Sequence, residues 1–239
     1  MSADTERQLE IHHAHRDVTG GWVRPATFGM MDGLVSNLAL LAGVIGAGAP
    51  AHTQVLTGLA GLVAGACSMA VGEFTSVSSQ SELIRAEIAV EKRELAEHPD
   101  EELAELTSIY RSKGLNPTLA SQVARELTRD RDTAWRIHAR EELGIDPDDL
   151  PSPWVAAVSS FLSFALGAFV PIVPLLFGGT SMLWVAAISA VGLFCSGGVV
   201  SRLTARPVWF GGARQLLLGT AAAAITYGIG VAVGTAGLA

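Results

Sequence analysis

Charge, cysteine and aromatic side chains are all scarce in this sequence. Only 16% of its 239 residues are charged, against roughly a quarter in an ordinary soluble domain. Two cysteines, Cys67 and Cys195, both lie inside apolar segments, which excludes a disulfide-stapled extracellular scaffold. Basic residues number 16 against 23 acidic ones, so the positive stripe of a nucleic-acid binder is missing and no nucleic-acid partner is expected. Neither a nucleophile–base pair nor a phosphate-binding loop stands out, so an enzyme is not expected. The first 26 residues are polar and of mixed charge, with Asp4, Glu6, Glu10 and Asp17. They lack the basic start, short apolar run and small-residue site of a cleaved signal.

Apolar sequence fills the space that charge leaves: 49% of residues are hydrophobic, 26 are glycine, and the mean hydropathy is +0.39. Five runs reach the ~20 residues needed to cross a bilayer, at about Thr27–Gly48, Thr53–Phe74, Trp154–Phe177, Ser181–Val200 and Gly211–Gly234. Charge concentrates between the second and third runs. Residues 80–153 hold 10 of the 16 basic and 17 of the 23 acidic residues, and the remainder carries six of each sign. The expected architecture is an all-α membrane protein with five transmembrane helices and a soluble acidic insert. Its divisions are an N-terminal segment at 1–26, spans one and two at 27–80, the insert at 81–150, and spans three to five at 151–239.

The arginines and lysines orient it. Arg7, Arg16 and Arg24 precede span one, ten basic residues lie in the insert, and Arg202, Arg206 and Arg214 flank or fill the loop between spans four and five. All sixteen therefore fall on one side, which the positive-inside rule makes cytoplasmic, with the C-terminus outside.

Within the insert, span two has no helix breaker at its end, and polar helix-favouring sequence continues through Ser78–Glu97. His98-Pro99-Asp100 ends that helix, because proline disfavours helix in the residue before it. A second helix is expected over Glu101–Lys113, stopping at Gly114. A third starts from an Asn116 cap with Pro117 at its first position and runs to Leu143, before Gly144. The insert thus reads as three helices.

These helices carry carboxylates at ligand spacing. Glu91 and Glu94 are three apart, as are Glu102 and Glu105; His138 and Glu142 are four apart, with Glu141 adjacent. Such spacings place side chains on one helical face. Facing helices bearing Glu and His pairs are one way to build a divalent-metal site, and oxygen with imidazole suits Mn²⁺ and Fe²⁺ without excluding Zn²⁺. The competing reading is a solvated face, since Glu is a good helix former and Glu91-Lys92-Arg93-Glu94 has the look of a surface. Taken alone, His138 reads as a surface or capping histidine. His12, His13 and His15 form a short tract that either binds metal or is simply solvated.

Two acidic residues, Asp32 and Glu73, sit inside the spans. Spans one and two run in opposite directions, and both acids fall within roughly 10 Å of the cytoplasmic end at 1.5 Å per residue. They are placed to face one another. Acids in a membrane usually face a cavity and mark a cation or proton path; the alternatives are an interfacial Glu73 and a hydrogen-bonded structural Asp32. Met69, four residues before Glu73, shares its face and offers a soft sulfur ligand or a packing side chain. Small-residue pairs at Gly29/Gly33, Gly61/Gly65 and Gly230/Gly234 allow close helix approach, within a protomer or across a dimer.

The segments Met31-Asp32-Gly33-Leu34-Val35-Ser36 and Ser68-Met69-Ala70-Val71-Gly72-Glu73-Phe74, the latter followed by Ser76-Val77-Ser78-Ser79-Gln80, resemble the vacuolar iron transporter family of plants, fungi and prokaryotes. The resemblance covers nearly the whole chain. It implies a dimeric exchanger of Fe²⁺ for protons, some members carrying Mn²⁺, with no prosthetic group. It places the ion in transit on Asp32 and Met69, sets the second-span glutamate at Glu73, and matches the metal-collecting glutamates in pattern to Glu91, Glu94, Glu102, Glu105 and Glu142. Two departures stand out: Met31 precedes Asp32 where many relatives have Asn, and His138-Ala139 replaces the methionines of plant members.

The function expected is a secondary transporter exporting Fe²⁺ or Mn²⁺ from the cytosol in exchange for protons, in a prokaryotic plasma membrane. Its partners are divalent transition-metal ions, protons, the lipid bilayer and a second copy of the chain. The alternative is a membrane-anchored metal buffer or sensor that binds without translocation.

Overall fold

A computed structural model describes residues 21–237, so His12, His13 and His15 lie outside the described residues. Every regular element among them is helical: α1 (Val23–Gly46), α2 (Ala51–Glu97), α3 (Pro99–Ser112), α4 (Pro117–Leu127), α5 (Arg131–Glu141), α6 (Pro153–Phe169), α7 (Val173–Leu176), α8 (Met182–Leu203) and α9 (Val208–Thr235). Five helical stretches are long and apolar enough to cross a membrane: α1, α2, α6 with α7, α8 and α9.

α1 is the axle of the bundle, packed against α2, α6, α8 and α9. Its buried side includes Leu34, Asn37, Leu38, Leu41 and Ala42. Glycine lets α6 approach it closely: a Cβ on Gly33 would lie 2.2 Å from the Phe164 carbonyl oxygen, and one on Gly167 2.2 Å from that of Met30. The Gly29/Gly33 and Gly230/Gly234 pairs both serve contacts within the protomer, the first against α6 and the second against the end of α1.

α2 has 47 residues, about 70 Å of helix at 1.5 Å per residue. Its first half belongs to the bundle, and it continues without a break into the insert, as the absence of a breaker predicts. His98 ends it, and α3 begins directly at Pro99. Asn116 caps α4, its side chain accepting the Leu119 N–H at 2.9 Å.

Two expected helices are interrupted. The single helix expected from Pro117 to Leu143 is two, so the insert has four helical segments rather than three. The break is at Asp130, in extended backbone, whose carboxylate accepts from the Thr133 N–H at 2.9 Å and the Thr133 hydroxyl at 2.8 Å. A capping aspartate competes with helix continuation here, and α5 turns back onto α2 and α3. In the third span, α6 passes into a 3₁₀ turn at Val170–Ile172 before α7. Pro171 and Pro174 supply no N–H for an unbroken α-helical ladder.

The insert is tied to the membrane part at its return. The Ser81 hydroxyl donates to the Pro151 carbonyl at 3.2 Å, and Phe74 meets Trp154 edge-on at 4.8 Å between ring centroids. Arg136 pairs with Asp148, and Arg140 with Asp146 at 2.9 Å and Asp148 at 3.3 Å, holding the linker against α5.

Candidate metal sites

Three insert helices converge on one point. α2 contributes Glu91, α3 contributes Glu102, and α5 contributes His138 and Glu142. One ligand atom from each lies within 4.8 Å of the others. His138 Nδ1 is 3.0 Å from Glu91 Oε1, 3.4 Å from Glu102 Oε2 and 3.9 Å from Glu142 Oε2. The imidazole is fully buried rather than at the surface, Glu91 and Glu102 are buried, and Glu142 stands at the edge.

Both His138 ring nitrogens and Glu91 Oε1 are buried and make no well-angled hydrogen bond among the described residues. Donor atoms gathered this closely have the disposition of ligands around a shared cation. The electrostatics agree, because three carboxylates in so small a volume repel unless a positive charge joins them. Burial first, and then the charge of Glu91, pushes Glu102 up to about 6. Glu142 is raised by burial and by the charges of Glu91 and Glu105. Burial by itself would lower His138, but close contact with Glu91 and the charges of Glu91, Glu102 and Glu142 outweigh it, so its basicity is raised. Protons can supply the missing positive charge at low pH, and the same donors could instead hold a divalent ion.

The other insert carboxylates are placed differently. Glu105 is exposed, one helical turn from Glu102, and near enough to raise both Glu102 and Glu142. Glu94 faces His98 Nδ1 at 3.1 Å. Glu141 pairs with Lys113 and accepts from the Tyr110 hydroxyl at 3.3 Å. Of the residues singled out in the insert, the fold gathers Glu91, Glu102, His138 and Glu142, keeps Glu105 at the rim, and turns Glu94 and Glu141 to other partners.

The second site lies between α1 and α2. A cavity of about 470 Å³ is lined by Asp32, Ser36 and Asn37 from α1 and by Ser68, Met69, Glu73 and Ser76 from α2, with Phe164 of α6 beside them. Asp32, Met69 and Glu73, distant in sequence, therefore share one wall system, each half-buried. The Ser36 hydroxyl donates to Asp32 Oδ1 at 2.7 Å, one helical turn away. Two carboxylates, a thioether and neutral oxygens around a cavity inside apolar helices can hold either a proton or a transition-metal ion. The serines and Asn37 escaped the sequence reading, which searched the spans for ionisable groups. The available signal was the i, i+4 spacing of Ser36 from Asp32 and of Ser68 and Ser76 in the same register as Gly72.

Comparison with known proteins identifies the family. The profile described as the VIT family matches residues 23–231. Vacuolar iron transporter 1 of Oryza sativa subsp. japonica is 32% identical over 228 residues, covering 94% of this chain and 90% of the relative. The vacuolar iron transporter of Acanthamoeba castellanii is 37% identical over 224 residues, covering 89% and 78%. Vacuolar iron transporter homolog 1 of Oryza sativa subsp. japonica is 36% identical over 214 residues, covering 87% and 72%. With five apolar helices and transporters as its relatives, the chain is an integral membrane protein. It belongs to the vacuolar iron transporter (VIT) family.

Proposed function

We propose that the chain is a secondary transporter that gathers Fe²⁺, or Mn²⁺, on the insert, passes it to Asp32 and Met69, and releases it across the membrane in exchange for protons. The observation that carries this reading is the cavity between α1 and α2, where two acids and a thioether meet within apolar, membrane-length helical stretches. A buffer or sensor needs a buried cluster such as that at His138, but has no use for carboxylates within the bilayer. The relatives' names, vacuolar iron transporter, point to iron as the cargo. The one-sided arginines support a cytosolic insert and, with it, export through the plasma membrane of a prokaryotic cell. The membrane part of α2 is the least covered of the five spans, with Leu56, Val63 and Val71 more than half exposed. A second copy of the chain across that side would enclose the path.

Exchange requires groups that take a proton or a metal ion but not both, and Asp32, Glu73 and the insert carboxylates are such groups. The test is uptake of Fe²⁺ and Mn²⁺ by liposomes holding the purified protein under a pH gradient, with a pH dye inside. Metal entry with proton exit is the expected result. Metal bound by the detergent-solubilised protein without any flux would replace this reading with the buffer or sensor.

A further inference from the structure

The cavity between α1 and α2 extends well past its acids. Its α2 wall runs from Ser76 to Gly61, fifteen residues or about 22 Å of helix. Glu73 and Asp32 occupy one part of this length, and Asn37 and Leu40 lie farther along α1 with Gly61 opposite. Asn37 is 2% exposed. Its Nδ2 donates to the Ala168 carbonyl at 2.6 Å and to the Gly58 carbonyl at 3.2 Å. Both amide hydrogens are therefore used on backbone acceptors, and this fixes which end of the amide is oxygen.

The oxygen end is the anomaly. Asn37 Oδ1 is buried with no hydrogen-bond partner among the described residues. A buried carbonyl acceptor left unpaired is uncommon in a folded protein and calls for an explanation. Oδ1 packs against a glycine: a Cβ on Gly61 would lie 2.7 Å from Oδ1 and 2.6 Å from Leu40 Cδ2. The amide is thus clamped by its nitrogen to the Gly58 and Ala168 carbonyls, and Asn37 and Gly61 both line the cavity.

We propose that Asn37 Oδ1 is a ligand for the divalent cation in the membrane, the neutral oxygen that receives the ion after Asp32 and Met69. The inference rests on the transport reading and deepens it. A hard carbonyl oxygen suits a partly dehydrated divalent ion. A neutral donor at this depth binds the ion without trapping it, as conduction through successive sites requires. A third carboxylate there would hold the ion more firmly and slow its release.

The test is Fe²⁺ flux into liposomes by the full-length protein. Asn37→Ala is expected to lower the maximal rate about tenfold, the scale of one lost contact to a charged group. Gly61→Ala would set a Cβ 2.7 Å from Oδ1, displacing the oxygen without removing the amide, and it is expected to lower the rate similarly. It also keeps the test decisive should Asn37→Ala fail to fold. Gly228→Ala, at a position with nothing within 4 Å of the added Cβ, is the control and should leave flux unchanged. Asn37→Asp is expected to lower the half-saturating Fe²⁺ concentration at least threefold while slowing the maximal rate, a split that a merely structural cross-link would not produce. Wild-type flux in Gly61→Ala and in folded Asn37→Ala, or an Asn37→Asp variant with unchanged half-saturation, overturns the inference and leaves the transport reading standing. A wild-type chain that moves no ion overturns both.

Discussion

The insert cluster draws ligands from three helices and buries them around an imidazole, whereas the membrane site draws its ligands chiefly from two helices and leaves them lining an open cavity. In the insert, four donors stand within 4.8 Å of one another. In the membrane, Asp32, Met69 and Glu73 share about 470 Å³ with serines and an asparagine. A tight, crowded set of donors favours holding an ion; a roomy one favours handing it on. The two sites also differ in what compensates their charge. In the insert, burial and neighbouring charge raise Glu102 and contact with carboxylates raises His138; at Asp32 the partner is the Ser36 hydroxyl, which donates to Oδ1. Under the proposed function, the comparison teaches that one chain would separate capture from passage by packing, using the same carboxylate chemistry twice.

The sharpest way to break that separation is at Asp32. Asp32→Asn keeps the shape and removes the charge, so flux should fall by about a hundredfold or more, as expected when an acid that holds the cation in a low-dielectric path is lost. Metal binding at the insert should be unchanged, because the insert cluster is untouched. Calorimetric titration beside the flux assay checks both halves. Flux retained in Asp32→Asn removes this residue from the path and leaves the cavity without its central ligand.

The reciprocal variant is His138→Ala. It removes the only nitrogen donor of the cluster and leaves three carboxylates facing a void. Affinity for Fe²⁺ should drop about tenfold to a hundredfold, the range that even indirect ligand partners command. Maximal flux at saturating metal should change little if capture and passage are separable. Equal loss of binding and maximal flux would show instead that the ion must dwell at the insert on every cycle.

pH separates the metal-free from the metal-bound insert. The folded-state pKa of Glu102 is raised from 4.5 to about 6, so its contribution favours folding fully below about 4.5 and is lost as pH rises through 6. The difference amounts to about 2 kcal/mol. His138 is raised as well, which acts in the same direction at higher pH. Metal-free protein should therefore melt at progressively lower temperature from pH 5 to pH 7.5. Saturating Mn²⁺, which replaces the protons, should reverse the trend, because metal affinity rises as the ligands deprotonate. A melting temperature that rises with pH in chelator would mean that Glu102 and His138 are not coupled as the geometry has them.

Much of this was legible before the fold was known, for identifiable reasons. The five spans follow from apolar runs that no soluble packing could use, and the unbroken α2 from the lack of any breaker between Phe74 and His98. The Asp130 break was hidden because Thr128-Arg129-Asp130 is compatible with helix by propensity, and only the Thr133 partner three residues on makes the aspartate a cap. His138 was read as a surface or capping residue because burial is a property of the packing of α5 on α2 and α3. Pairing Glu91 with Glu102 needed the turn at Pro99, whose angle no spacing rule contains. Asn37 escaped because an orphaned oxygen exists only in three dimensions: its sequence neighbours are Ser36 and Leu38, while its partners are Gly58 and Ala168.

The smallest effects lie where helical spacing and folded geometry part company. Glu94 and Glu141 have the same spacing credentials as Glu91 and Glu142, yet they pair with His98 and with Lys113 and Tyr110. These are ion pairs near the surface, with Lys113 half-exposed, and such pairs contribute about 0–1 kcal/mol. Glu94→Ala and Glu141→Ala should accordingly cost less than about 1 kcal/mol in stability and shift Fe²⁺ affinity by less than about twofold, an energy well under 1 kcal/mol. Glu105→Ala should fall between these and Glu102→Ala. Its charge reaches the cluster and raises Glu102 and Glu142, but its side chain stands outside the converging donors. Removing it makes the remaining carboxylates easier to ionise and the site less negative, two consequences that act oppositely on cation binding. Titration of Fe²⁺ and Mn²⁺ into the full-length variants orders the series. If Glu94→Ala weakens binding as much as Glu91→Ala, the ion is held by the whole Glu-rich face, and the compact four-ligand centre is not the site.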